Sequence, residues 1–189
     1  SVDPPREEST RAAAVNRVCA RCHQVLFSGY EHTWEGGKRN AGAGGSNINS
    51  GEARDMILGA CRTQLACTSC HDPHAEKALE RSAGSNAVCT GCHRPLADPS
   101  AVAAHTHHPP GAGSECVGCH MPKKNMSLDG NLSRYHHVSS PNDMTKVLND
   151  RPLECALCHA DKSVRELAST MTKWWKKPYD DGSLERLYG

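Results

Sequence analysis

The last third of the chain carries the clearest pattern of apolar and polar positions. Val164, Leu167, Ala168, Met171 and Trp175 recur at steps of three and four, which predicts a helix with one apolar face over residues 162–177. Ser163 and Glu166 stand in the positions of a capping box at its start, and Pro178 follows its end. Residues 4–24 predict a second helix. Pro4 and Pro5 suit its first turn, Glu7 and Glu8 suit the positive end of its dipole, and "RAAAVNRV" is a good helix body. "HDPHAEKALERSAG" (71–84) offers Asp72 as N-cap, Pro73 at the first helical position and Gly84 past the end. "DPSAVAAH" (98–105) repeats the Asp-Pro start. The stretch "GGKRNAGAGGSNINSG" (36–51) reads as a glycine-rich loop. Strand-like runs are scarce. The pattern predicts a mostly irregular chain with short α-helices and little or no β, forming a single domain over 1–189.

Composition makes an ordinary apolar core implausible. The 189 residues include one Phe, three Trp and four Tyr, against 16 Gly and 11 Pro, and the mean hydropathy is −0.62. A polypeptide this polar buries little apolar surface by itself. Something other than side chains must fill the interior.

The cysteines indicate what. "CARCH" (19–23), "CTSCH" (67–71), "CTGCH" (89–93), "CVGCH" (116–120) and "CALCH" (155–159) consume ten of the eleven cysteines, and each pair is followed at once by His. A zinc ribbon needs two Cys-x-x-Cys pairs or distant histidines but no His directly after the second Cys. A thioredoxin-like pair needs a βαβ setting and usually stands alone. Cys-x-x-Cys-His is the pattern of covalent haem c attachment. The thiols of Cys19, Cys22, Cys67, Cys70, Cys89, Cys92, Cys116, Cys119, Cys155 and Cys158 would form thioethers to the porphyrin vinyls. His23, His71, His93, His120 and His159 would ligate iron as proximal ligands. Two intervening residues span most of a helical turn, so both sulfurs face one ring edge. Five haems would leave about 38 residues for each, and the haems themselves would then be the core. The apoprotein is expected to be unfolded. The motif starts are 48, 22, 27 and 39 residues apart, an irregular repeat and not a solenoid period.

Seven histidines remain: His32, His74, His105, His107, His108, His136 and His137. Five six-coordinate irons need five distal ligands, which this surplus can supply. His74 lies three residues after His71, too near to reach the opposite face of the same ring. It is expected to ligate a neighbouring haem, or else to cap a helix or bond a propionate. The i, i+3 spacing of His105 and His108 suits one helical turn offering two ligands. Methionine is the competing ligand type. Met121 faces the same geometric objection as His74, and Met56, Met126, Met144 and Met171 read as core filler. Cys61, outside the motifs, reads as a small buried thiol, with an unusual ligand or an intermolecular bridge as alternatives.

The stretches "CTSCHDPH", "AHTHHPPGAGSECVGCHMP" and "RYHHVSSP…LECALCHADKS" resemble the multihaem c-type cytochromes, over residues 61 to 165 in particular. "CARCHQVLFSGYEHTW" resembles that family's opening haem segment, while the glycine-rich insert and the C-terminal tail have no counterpart. The resemblance implies His32, His74, His105, His108 and His136 as distal ligands, with His107 the lesser member of its cluster and His137 the alternative to His136. It implies a haem-stacked core and bis-histidine irons closed to substrate. The expected role is electron transfer and not catalysis.

Two forms of that role stand open: a discrete periplasmic shuttle, or a subunit of an extracellular conducting filament or other large assembly, toward which the reading leans. A subunit of such a filament can lend a distal His to its neighbour. The partners would be redox proteins or copies of the chain itself. The alternative of another class is a multihaem reductase of the nitrite or hydroxylamine type with one open haem. No Cys-x-x-Cys-Lys motif is present to mark one.

Charge and targeting narrow the partners. The polypeptide carries +1, but ten propionates would bring it to about −9 reduced and about −4 oxidised. Nucleic acid is therefore not an expected partner, and "KWWKK" (173–177) reads as a local helix face. No stretch has the length of a transmembrane helix. Covalent haem attachment takes place outside the cytoplasm, which predicts a signal peptide removed before Ser1 and a periplasmic or extracellular location.

Overall fold

The computed structural model describes residues 11–23, 32–33, 37–38, 52–74, 86–126, 130–142 and 153–188. Its structure is mostly irregular, with short helices and two small antiparallel hairpins. The chain divides into two compact units, Ser1–Leu26 with Asn47–Ser139, and Phe27–Ser46 with Ser140–Gly189.

In the first unit, the helix Arg11–Ala20 packs beside the helix Glu52–Leu58 and the 3-10 turn Cys67–Ser69. The residues expected to begin the first helix, 4–10, lie outside the described residues, and the helix ends within the first motif. Of the helix expected over 71–84, Asp72 does accept a hydrogen bond from the His74 N–H (3.1 Å) as a helix cap would; residues 75–84 are not described. Pro99–Thr106 forms as the Asp-Pro start predicts, with the Asp98 carboxylate accepting from Ser100 N–H at 2.8 Å. The hairpin Lys123–Met126 with Leu132–Arg134 was not foreseen, since neither strand alternates apolar and polar residues.

The second unit contains the hairpin His32–Thr33 with Gly37–Lys38, which falls partly in the predicted glycine-rich loop; the rest of 36–51 is outside the described residues. Its core joins Leu153, Leu167, Ala168, Met171, Tyr179 and Leu184, with Cys155, Val164 and Trp175 packed against it. Val164–Trp175 is the helix the apolar face predicts. Ser163 Oγ accepts from Glu166 N–H, the Glu166 carboxylate accepts from Ser163 N–H (2.8 Å), and Lys176 closes the end in the left-handed region. Those hydrogen bonds hold the Glu166 carboxyl below its usual range. Burying Leu153, Leu167, Met171 and Leu184 contributes roughly 2 kcal/mol each. A further helix, Asp181–Tyr188, returns Leu184 to this cluster. None of the described helices is long and apolar enough to cross a membrane.

Candidate haem sites

Each of the five motifs folds as one turn of helix. The His N–H donates to the carbonyl of the first Cys in four of them, His23 to Cys19 (3.0 Å), His71 to Cys67, His93 to Cys89 and His159 to Cys155 (each 2.9 Å). The fourth motif is itself the helix Cys116–His120. The Cys-x-x-Cys-His spacing thus closes a 13-atom ring that presents both thiols and the imidazole from one short segment. All eleven cysteines are free of disulfides, and among the described residues no group of three or more His, Cys, Asp or Glu converges as a metal cage would.

Two of the motif histidines face a second imidazole. The His71 and His136 rings are stacked with centroids 6.2 Å apart and planes 24° from parallel. His105 and His120 are stacked at 6.4 Å and 9°. That separation is too wide for van der Waals stacking. Each pair would offer two imidazole donors to a haem iron, with bonds of about 2.0 Å. Desolvation, chiefly, lowers the pKa of half-buried His136 and of the more exposed His105, a shift toward the neutral form that binds metal.

The segment following the 132–134 strand builds both pairs. Tyr135 N–H donates to Pro122 C=O (2.9 Å), and Arg134 Nη1 donates to the carbonyls of Val117 (3.1 Å) and Met121 (3.2 Å). Four residues after Tyr135, the Ser139 carbonyl bonds His120 Nδ1 at 2.8 Å. His136 Nδ1 bonds the Arg134 carbonyl at 2.9 Å, which leaves Nε2 of each ring as the metal-facing nitrogen. Gly59 admits this segment. A Cβ there would stand 2.9 Å from Val138 N, while Ala60 N–H donates to Val138 C=O at 3.0 Å.

The other sequence-predicted ligands fall as follows. His137 turns away to meet the Tyr135 ring edge-on, with its Nδ1 3.3 Å from the Tyr135 hydroxyl. His105 and His108 do not share a helical turn, contrary to their spacing. The helix ends at Thr106, His107 takes φ +56°, and Pro109 bars His108 from helical backbone. His108 instead bonds the Thr106 carbonyl through Nδ1 and packs over Gly113, where a Cβ would meet its ring at 2.7 Å. His74 lies exposed in a turn. His32 is a strand residue whose side chain lies outside the described residues. Met171 is core, 1 % exposed, with Cys155 Sγ 3.9 Å from its sulfur. Cys61 is half-buried and near enough to Cys89 to help hold its thiol protonated.

Three site residues carried no signal that the Cys-His pattern could reveal. Glu52 places a carboxylate oxygen 3.6 Å from His23 Nδ1, and its helix is anchored there by Ala53 N–H donating to His23 C=O at 3.0 Å. Asn16 and Asn86 each stand three residues before a first cysteine and bond the backbone of a different motif. There the first thiols of two motifs meet. Cys67 is pushed up to about 11 by burial and by Cys19 beside it, and Cys89 to about 11 by burial and Cys116.

Repeated Cys-x-x-Cys-His turns, each presenting two thiols and an imidazole, are the donor set of covalent haem c attachment. Residues 60–98, spanning the second and third motifs, match the family described as the doubled CXXCH motif. That match supports haem c binding and, with it, an electron-transfer role. No curated protein and no solved structure matches the chain.

Proposed function

We propose that the protein carries five covalent haems c and transfers electrons through bis-histidine irons. Bound haem iron supplies one-electron redox chemistry. The ten motif thiols hold the groups covalently, and the five motif histidines supply one axial nitrogen each. His136 is the second ligand opposite His71, and His105 the second ligand opposite His120. The observation that carries this reading is the pair of parallel imidazole couples at 6.2 and 6.4 Å. His32, His74 and His108 complete the set. With a histidine on each side the irons are closed to substrate, so the chain relays electrons and does not itself turn over a small molecule. In its extended form the proposal places the protein outside the cytoplasm, as a subunit of a conducting filament or other large assembly. The high ratio of motifs to chain, five in 189 residues, supports that form, because so little polypeptide per haem would leave redox groups within reach of a neighbouring copy or another redox protein.

Intact-mass measurement of the native protein is expected to give five haem additions, and EPR of the oxidised protein only low-spin ferric signals. His136→Ala and His105→Ala should each convert one fifth of the iron to high spin, whereas His137→Ala should convert none. A high-spin signal in the native protein would favour the reductase. Electron microscopy across a dilution series would show filaments shortening to particles, and discrete particles at every concentration would sink the assembly.

A further inference from the structure

The five motifs are not equivalent in their backbone setting. In "NRVCARCH" and "NAVCTGCH" an asparagine stands three residues before the first cysteine, at Asn16 and Asn86. Both side chains do the same thing. Asn16 Oδ1 accepts from Cys67 N–H (2.8 Å) while its amide donates to Leu65 C=O (3.0 Å). Asn86 Oδ1 accepts from Cys116 N–H (2.9 Å) while its amide donates to Ser114 C=O (3.0 Å). The partners are 51 and 30 residues away, yet the register is identical: the carbonyl two before a first cysteine, and the N–H of that cysteine. One amide therefore ties the entrance of the second motif to the first, and another ties the fourth to the third. The fifth motif, preceded by Pro152, has no such residue.

We infer that Asn16 and Asn86 are positioning residues that fix the separation and orientation of haems within two pairs, motifs 19–23 with 67–71 and motifs 89–93 with 116–120. The inference rests on the reading of these motifs as haem sites. The physical reason is the lever arm. The first cysteine of each motif anchors one vinyl edge of its ring, so its backbone N–H is the closest point at which the protein can set that edge. A bidentate amide fixes it in two directions. A planar group with one donor and one acceptor matches the N–H and C=O of an extended strand entering a helical turn, which alanine cannot do and aspartate does only in part. Electron exchange falls steeply with edge-to-edge distance, so two hydrogen bonds at this point control exchange within a pair while touching neither iron.

The test uses the mature holoprotein and the variants Asn16→Ala, Asn86→Ala and the double variant. Intact mass first counts haems. A native protein without covalent haem would defeat the haem reading itself, whatever the asparagines do. With five haems retained, the bisignate Soret circular dichroism of close haem pairs is expected to fall in each single variant and to fall furthest in the double variant. EPR signals should stay low-spin throughout, because no axial ligand is touched. An undiminished couplet in both single variants would overturn the inference. Where a variant matures with fewer haems, peptide mass mapping decides. Loss confined to the two motifs that the missing asparagine joins supports the assignment, and loss elsewhere or spread evenly overturns it.

Discussion

A carboxylate beside the outer nitrogen of a ligating imidazole pushes electron density toward the metal and favours the oxidised iron. Glu52 is placed to do this to the motif histidine His23. His120 bonds a neutral carbonyl through Nδ1, while His23 faces the Glu52 carboxylate at 3.6 Å. Glu52 is about one-third exposed, so water screens part of its charge. The group at residues 19–23 is accordingly expected to have a lower potential than the one at 116–120. Glu52→Gln keeps the shape and removes the charge. It should raise the midpoint of the group at 19–23 by on the order of tenfold in the reduction equilibrium, ~59 mV for a one-electron couple, with a smaller rise at 67–71, where His136 also feels the Glu52 charge, and leave the others in place. Spectroelectrochemical titration reads this directly, and a titration curve unchanged from the native one would rule the tuning role out. At this scale the sequence was half legible. The motif cysteines and histidines declare themselves by spacing, whereas His105 and His136 came only from the family resemblance. Glu52, Asn16 and Asn86 are 29, 51 and 30 residues from what they touch, and no periodicity encodes contacts of that range.

Among the elements, the helix Val164–Trp175 was the most legible, because its cap, its apolar stripe and its terminating Pro178 agree with one another. The Asp-Pro helix 99–106 was legible for the same reason at its start but not at its end. There Thr106 Oγ1 turns back to the Val102 carbonyl (2.9 Å) and accepts from His108 N–H (3.3 Å), which stops the helix one residue before His107. The helix Asp181–Tyr188 escaped notice because it is short and, of the residues whose side chains are described, buries only Ser183 and Leu184. What holds the helices 164–175 and 181–188 is the cluster around Met171, whose sulfur accepts from the Tyr179 hydroxyl at 3.5 Å. Met171→Ala should cost about 3 kcal/mol in denaturant unfolding followed by circular dichroism. Met171→Leu, which nearly conserves volume, should cost less than about 1.5 kcal/mol and leave the Soret and EPR spectra unchanged. A spectral change in Met171→Leu would instead make Met171 an iron ligand and remove it from the core.

For the molecule as a whole, the described residues bury few apolar side chains. Apart from the six around Met171, the buried hydrophobic residues are Ala53, Val102 and Tyr135, none of them in a shared cluster. Val18, Ile57, Leu58, Leu132 and Leu157 lie exposed, Val18 directly before the first motif and Leu157 inside the fifth. Conformational entropy of roughly 1–2 kcal/mol per ordered residue is not offset by so small an apolar core. On the proposed reading, cohesion in the first unit would come from haems held by its motifs: each would tie two cysteines to two histidines, as His71 with His136 and His120 with His105. Folding and haem attachment should then be one event. Protein made without haem attachment is expected to show a far-UV spectrum dominated by irregular chain and a gradual, non-cooperative urea response. The native holoprotein should unfold cooperatively. Helical signal that survives in the haem-free chain should come from the second unit, and Met171→Ala should abolish it there. A cooperative transition in the haem-free chain that includes the residues 52–74 and 86–126, read by hydrogen exchange, would mean that the polypeptide carries its own fold and that the haems occupy a scaffold already made.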